Sequence, residues 1–408
     1  MEIILLGGGG AMGTGIVRDL VSEHSTEGIE KIVVSDHELR RASAIVEELE
    51  DERLVAKEVD VSRREETLDL LENADVCINC VPTLAGFQME ITEMCLESGV
   101  AYMDLGGLFH TTLKQKEMEQ DFVEEGVPGV LGMGSAPGMT NVLAGYGAEG
   151  YEEVESIEVY WAGKELGDDN GLEEEVPVFV PPYSIHTLID EFAASSTQFI
   201  DGEYVEKEAC SGRKTVSFPE PFGKLTTFHT IHSEPATLPR SFEDRGIKEV
   251  TWRLWPTEGL NTIMRSLVSA GFGRVDSVEI DGKELDPVDF LERLTRKNVE
   301  VNEDKISEPD SIEEAQGYSI YRAVVKGVKD GEEVKTTVDI IREPHELYSE
   351  YSEADTSIPA SICAQMLGEG LIEPGLWAPE ECIDPKRFFE ELGKRHFEVV
   401  AREEKVLS

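Results

Sequence analysis

A short apolar run, Ile3 to Leu6, ends in Gly7-Gly8-Gly9-Gly10-Ala11-Met12-Gly13, and residues 11–23 then carry helical periodicity. Few features constrain a fold as tightly. Gly8, Gly10 and Gly13 stand in GxGxxG register between a strand and a helix. The first permits a tight turn, the second lets backbone approach a pyrophosphate, and the third allows close helix–strand packing. The helix N-terminus attracts the phosphate charge. Residues 31–35 read as the second strand, which ends at Asp36, 23 residues beyond Gly13. That is where a Rossmann domain keeps a carboxylate for the adenine-ribose hydroxyls. The expected dinucleotide contacts are therefore Gly8, Gly10, Ala11, Met12, Gly13 and Asp36. Asp36 would repel a 2′-phosphate, which favours NAD; Arg40 and Arg41 lie close enough in sequence to leave NADP open.

The alternation continues. Residues 39–49, 65–71, 87–98 and 113–125 read as helices. Residues 54–59, 76–81, 100–105 and 127–133 read as strands, with a helix from about Met139. Apolar strands alternating with amphipathic helices imply a doubly wound parallel sheet covered on both faces. Beyond residue 150 the texture changes to α+β. Strands are expected at 156–162, 215–218, 225–231, 249–254 and 274–281, with a hairpin pairing 318–328 and 333–342. Helices are expected at 185–192 and 260–269, and an acidic loop at 167–175. Helical pattern returns at 358–367 and 385–392. The fold class is α/β, a Rossmann sheet plus an α+β second domain.

Ligands in such sheets bind outside the carboxyl ends of the strands. Asp60 and Val61 follow the third strand, where the adenine sits. Asn79, Val81 and Pro82 follow the fourth. Asp104 and Gly106, in Asp104-Leu105-Gly106-Gly107, follow the fifth, near the nicotinamide. Pro137, in Ser135-Ala136-Pro137-Gly138-Met139-Thr140-Asn141, follows the sixth and shapes a turn beside the ring.

The chain carries 84 acidic and 37 basic residues, a net charge of −47. Such a surface repels nucleic acid and anionic lipid. We read it as adaptation to a salt-rich cytoplasm, where carboxylate repulsion is screened over about 3 Å at 1 M. No run of 18 apolar residues and no signal peptide is present, so a cytoplasmic protein without membrane or nucleic-acid partners is expected. Six scattered cysteines imply reduced thiols. Cys77 and Cys80 lie on a strand-like run, where residues three apart point to opposite faces, so no metal site is expected.

These motifs together resemble the saccharopine dehydrogenase family. The resemblance rests on the Gly-rich turn, Asn79-Cys80-Val81-Pro82, Tyr102-Met103-Asp104-Leu105-Gly106-Gly107 and Ala136-Pro137-Gly138-Met139-Thr140-Asn141. Phe228-His229-Thr230-Ile231-His232-Ser233-Glu234, Thr237-Leu238-Pro239, Ser357-Ile358-Pro359-Ala360, Leu367-Gly368-Glu369-Gly370 and Pro379-Glu380-Glu381 extend it over nearly the whole chain. It implies a Rossmann domain at 1–148 completed by returning C-terminal helices at 350–408, and a substrate-binding and dimerisation domain at 149–349. It also implies a homodimeric NAD(P)-dependent oxidoreductase that transfers hydride at a C–N bond of a small amino-acid substrate. Saccharopine reductases often carry Asp before the Pro-Gly. Ala136 stands there in this chain and looks more like the lysine 6-dehydrogenase branch, so a lysine 6-dehydrogenase-like activity is the first expectation. Saccharopine or carboxynorspermidine reduction is the alternative, and a non-catalytic dinucleotide-binding redox sensor is the third.

Hydride leaves only a neutral amine, so a base is needed. His232, with Glu234 to orient it, is the leading candidate, followed by Asp104 and His110. His229 falls on the opposite strand face and reads as structural. His186, Arg213 and Arg240 are the candidates for substrate binding, with Arg253 competing for the substrate carboxylate.

Overall fold

The computed structural model describes residues 1–106, 108–164, 178–181, 184–274, 276–302, 316–351 and 353–405. The expected acidic loop at 167–175 and Gly107 lie outside these residues.

Six strands of the first sheet come in rapid succession: β1 (Glu2–Leu6), β2 (Lys31–Asp36), β3 (Leu54–Glu58), β4 (Val76–Asn79), β5 (Ala101–Asp104) and β6 (Pro128–Val130). All pair in parallel, in the order β3-β2-β1-β4-β5-β6, and Gly375–Trp377 adds a seventh parallel strand beside β6. Ile3 to Leu6 and all four residues of β4 are buried, because helices cover both faces. The covering helices are α1 (Ala11–Val21), α2 (Leu39–Leu49), α3 (Arg64–Leu71), α4 (Gln88–Ser98), α5 (Phe109–Lys116) and α6 (Glu119–Glu125), with α7 (Met139–Gly147) leading out. The single helix expected over 113–125 is two, and the first begins early enough to place His110 on a helical turn.

The second sheet is mixed. It comprises β7 (Glu153–Lys164), β8 (Ser196–Ile200), β9 (Glu203–Lys207), β10 (Ser211–Ser217), β11 (Lys224–His229) and β12 (Glu249–Leu254), with three more strands from downstream. β7 and β12 run parallel, and the other pairings are antiparallel. A small hairpin, β13 (Val278–Ile280) and β14 (Lys283–Leu285), stands apart. The expected long hairpin is present as β15 (Tyr318–Lys329) and β16 (Glu332–Arg342). Helices α8 (Ile185–Ala193), α9 (Glu234–Ser241), α10 (Glu258–Leu267) and α11 (Pro287–Val301) accompany this sheet. The β8–β9 hairpin, α9 and α11 were not visible in the sequence pattern. α9 carries Pro235 and Pro239, which mask a helix, yet Pro235 sits in its first turn, where no N–H is needed.

The C-terminal region serves both sheets. α12 (Ala354–Gly368) packs on α1 so closely that a Cβ on Gly15 would stand 2.3 Å from Ser357 Oγ. β17 (Gly375–Trp377) closes the first sheet, and α13 (Pro379–Cys382) and α14 (Pro385–Lys394) follow. Arg395, fully buried, then grips Asp19 of α1 with two hydrogen bonds of 2.7 and 2.9 Å. The expectation placed 350–408 wholly with the first sheet. Instead β18 (Phe397–Lys405) pairs antiparallel along β16. Its last residues are charged and exposed, as an edge strand requires, so it lacks the alternation that marks an inner strand.

α7 lies between the two sheets. A Cβ on its Gly147 would touch Val325 and Val338 of the second sheet. Its first turn is therefore aimed at the ends of β5 and β6 while its body is held by the other domain.

Candidate active site

The Gly-rich turn has the geometry its register predicts. A Cβ on Gly13 would lie 2.6 Å from Gly8 Cα, and one on Gly8 would lie 2.9 Å from Leu5 and Val34 side-chain atoms. α1 can therefore start flush against β1 and β2. A Cβ on Gly10 would meet only the Gly7 carbonyl, at 3.3 Å, and Gly10 caps α1 with no side chain. The first turn thus presents Ala11, Met12 and Gly13 at an open helix N-terminus, which fits a pyrophosphate. Asp36 closes β2 with a buried carboxylate whose Oδ1 accepts from Glu38 N–H at 3.1 Å. A cavity of about 460 Å³ opens alongside, lined by Gly9, Thr14, Arg18, Arg40, Arg41 and Glu48 among others.

Asp60 is exposed and engaged locally. Its Oδ1 accepts from Ser62 N–H at 3.0 Å and Ser62 Oγ at 2.6 Å, and these bonds hold the carboxyl below its usual range. It shapes the turn into α3, with Val61 packed on the core behind it. Asn79 is buried. It donates to Gln88 Oε1 at 3.1 Å and to Tyr102 at 3.3 Å, and it accepts from Val81 N–H at 3.0 Å. Its side chain therefore sets the turn that ends in Pro82 and has little left for a ligand.

At the ends of β5 and β6 the backbone forms a tight surface. Gly106 has φ +110° and Gly132 φ +71°; a Cβ on either would strike the Pro137 ring, at 2.7 and 2.9 Å. Gly138, at φ +126°, then turns the chain into α7. Thr83 Oγ1 donates to the Gly106 carbonyl at 2.9 Å. Asp104 lies beneath and holds this surface together. Its Oδ1 accepts from Gly106 N–H at 3.0 Å and Gly132 N–H at 2.7 Å. Its Oδ2 accepts from Tyr102 and Gln115, each at 2.8 Å. The residue has no exposed area. The acid–base role expected for Asp104 is therefore corrected: four donors occupy a carboxylate with no exposed area, which anchors two loops and faces the protein.

His232 sits in the connection between β11 and α9, not at a strand end. Its Nδ1 bonds Glu234 Oε2, and Glu234 Oε1 accepts from Thr140 Oγ1 at 2.8 Å. Glu234 is fully buried, and the His232 ring stacks on Trp252 at 3.8 Å with 16° between planes. A carboxylate only accepts, so Nδ1 is the donor to Glu234 and Nε2 is the ring nitrogen turned away from it. Thr140 belongs to the first turn of α7. The histidine of the second domain is thereby fastened to the turn that follows β6.

The other expected residues disperse. His110 is exposed on α5, edge-on to Phe109 at 5.2 Å; Phe109 in turn meets Tyr204 of β9 at 5.5 Å. Arg240 is exposed at the end of α9, where its charge acts on Tyr204. These groups mark the rim where the two domains meet. His186 is drawn instead to α11, with Nε2 at 3.2 Å from Asp289 and 3.3 Å from Glu292, so its role in binding substrate is corrected to a contact between α8 and α11. Arg213 is exposed on β10. Arg253 is spent on His229 Nε2 at 2.9 Å and on the Gly212 carbonyl. His229 is buried, and burial followed by the Arg253 charge lowers it to about 4, a structural histidine as expected. Sequence reasoning missed Thr140, Asn141, Trp252 and Glu380 as parts of the site. Three of these lay inside quoted motifs, but nothing in the spacing said that their side chains converge.

Comparison with known proteins agrees with this architecture. The family model described as Saccharopine dehydrogenase NADP binding domain matches residues 3–130, and that described as Saccharopine dehydrogenase C-terminal domain matches 134–397. A carboxyaminopropylagmatine dehydrogenase from Synechocystis sp. is 22% identical over 97% of this chain and 96% of its own length. A carboxynorspermidine synthase from Vibrio alginolyticus is 23% identical over 96% and 94%. Among solved structures, the apo saccharopine dehydrogenase (L-Glu forming) from Saccharomyces cerevisiae shares the fold with a TM-score of 0.67 at 15% identity, each chain covered completely. The homospermidine synthase from Legionella pneumophila in complex with NAD gives 0.65 at 12% identity, covering 98% of this chain and 91% of that one. The Gly-rich turn, the parallel sheet that carries it and two family models spanning residues 3–397 show that the chain belongs to the saccharopine dehydrogenase family of NAD(P)-dependent oxidoreductases.

Proposed function

We propose that this enzyme interconverts a secondary amine and its imine, in a substrate that joins a carboxylate-bearing fragment to a cationic amine chain. The observation that carries the reading is the His232–Glu234–Thr140 relay. When bound, the nicotinamide ring supplies a hydride acceptor or donor. In the oxidative direction, His232 Nε2 takes the amine proton, the nitrogen lone pair forms the C=N bond, and the hydride leaves the neighbouring carbon. Glu234 stabilises the resulting imidazolium and keeps its ring oriented. In the reductive direction the imidazolium returns the proton to nitrogen. Trp252 holds the ring flat, and Arg240 stands at the rim for a substrate carboxylate.

The full-length relatives carry names built on carboxyalkylated polyamines, which favours a secondary amine over the ε-amine of lysine. We assign nucleotide binding to 1–148 with the C-terminal region up to about residue 396, and substrate binding and dimer formation to 149–349. Asp36 favours NAD over NADP. The test is NAD(P)H turnover in molar KCl with carboxyaminopropylagmatine, carboxynorspermidine, saccharopine and lysine. Turnover of lysine alone would restore the lysine 6-dehydrogenase reading. Tight NAD(P)H binding without turnover of any amine would favour the redox sensor.

A further inference from the structure

Three elements meet at Asn141. Its Oδ1 accepts from Gly138 N–H at 3.1 Å, and its Nδ2 donates to Thr237 Oγ1 at 3.2 Å and to Glu380 Oε2 at 2.8 Å. One amide thus ties the Pro137–Gly138 turn to α9 and α13. The arrangement leaves it no second orientation, because the Gly138 donor needs an oxygen and the Glu380 acceptor needs an N–H. Glu380 Oε1 in turn accepts from Ser241 Oγ at 3.0 Å.

The adjacent acids differ in their surroundings. Glu381 is paired with Lys116 Nζ at 2.5 Å, whereas among the described residues no lysine, arginine or histidine forms an ion pair with Glu380. Burial, and then the Glu381 charge, raise the Glu380 carboxyl to about 7. The other titratable or charged groups on elements packed against α13 are its own Cys382, Tyr146 on α7, and Glu234 and Arg240 on α9. A proton on Glu380 Oε2 would set an O–H against the Asn141 N–H, two donors facing each other.

We propose that Glu380 is a positioning residue of the nucleotide site: as a carboxylate it acts through Asn141 to hold the Pro137–Gly138 turn in shape, and on taking up a proton it lets that turn relax. The inference rests on the nucleotide fold of the family and not on which amine reacts, so failure to turn over any amine leaves it intact.

The test is the dissociation constant of NADH and NADPH, read by fluorescence without substrate, from about pH 5.5 to about pH 8.5. Wild type should bind at least about 5-fold more weakly at the acid end. Glu380→Gln removes the titrating carboxylate and should bind with one pH-independent constant. Asn141→Asp, should Glu380→Gln fail to fold, sets a second carboxylate against Glu380 and should invert the dependence, binding better at the acid end. A flat wild-type profile, a step that survives Glu380→Gln, or an uninverted Asn141→Asp profile would overturn the proposal.

Discussion

Glu234 Oε1 accepts the Thr140 hydroxyl at 2.8 Å, so the carboxylate that orients His232 is itself held by the helix that starts at the Pro137–Gly138 turn. The two domains thus share one hydrogen-bonded chain, from His232 through Glu234 to Thr140.

His232→Ala should therefore lower kcat by about 10²- to 10⁴-fold with little change in nucleotide affinity. Glu234→Gln should lose a comparable factor, and the double variant should lose little more than either single one, because both remove the same relay. Additive losses, measured by steady-state kinetics on the three proteins, would show that the residues act independently.

Asp104 belongs to a different class. Asp104→Ala leaves two buried N–H groups and a tyrosine hydroxyl without their acceptor, so unfolding in urea should show a loss of roughly 2–4 kcal/mol. The fraction that remains folded should keep the wild-type pH–rate profile. A lost limb of that profile with unchanged stability would return Asp104 to the chemistry.

We propose that Asp36 decides between the two cofactors. Asp36→Ser would then remove the carboxylate that opposes a 2′-phosphate, while Arg40 and Arg41, which line the nearby cavity, remain. The ratio of kcat/KM for NADP to that for NAD should rise at least about 10-fold, the equivalent of some 1.4 kcal/mol. An unchanged ratio would mean that this carboxylate does not face the ribose.

How far the sequence reveals this site depends on whether a role is local. The Gly8–Gly13 register and the acid at Asp36 follow from neighbours in the chain, and the structure shows the close contacts that these glycines permit. His232 and Glu234 are two residues apart, so their pairing could be inferred, although Thr140 as the third member could not: it lies 94 residues away. Asp104 was misread because a motif aspartate at a strand end looks alike whether it faces the ligand or the protein, and only its four donors tell the two apart. His186 failed for the same reason, since Asp289 and Glu292 converge on it from a helix that the pattern did not reveal.

The excess of carboxylates predicts salt dependence. We propose that the chain is adapted to high salt; its melting temperature should rise steeply between about 0.1 M and molar KCl as the Debye length falls from about 10 Å to about 3 Å. Equal melting temperatures at the two concentrations, followed by circular dichroism, would remove this reading.

The late strands bear on how such enzymes can be rebuilt. Among the described residues, β6 gains its outer neighbour only from Gly375–Trp377, and β16 only from Phe397–Lys405. An excised residue 1–148 fragment would expose the β6 edge, and a fragment stopping near residue 349 would leave both edges bare, inviting intermolecular strand pairing. Exchanging nucleotide domains among relatives therefore calls for a two-piece graft, in which the N-terminal unit travels with the strand that borders it and the crossing into the second sheet stays with the recipient.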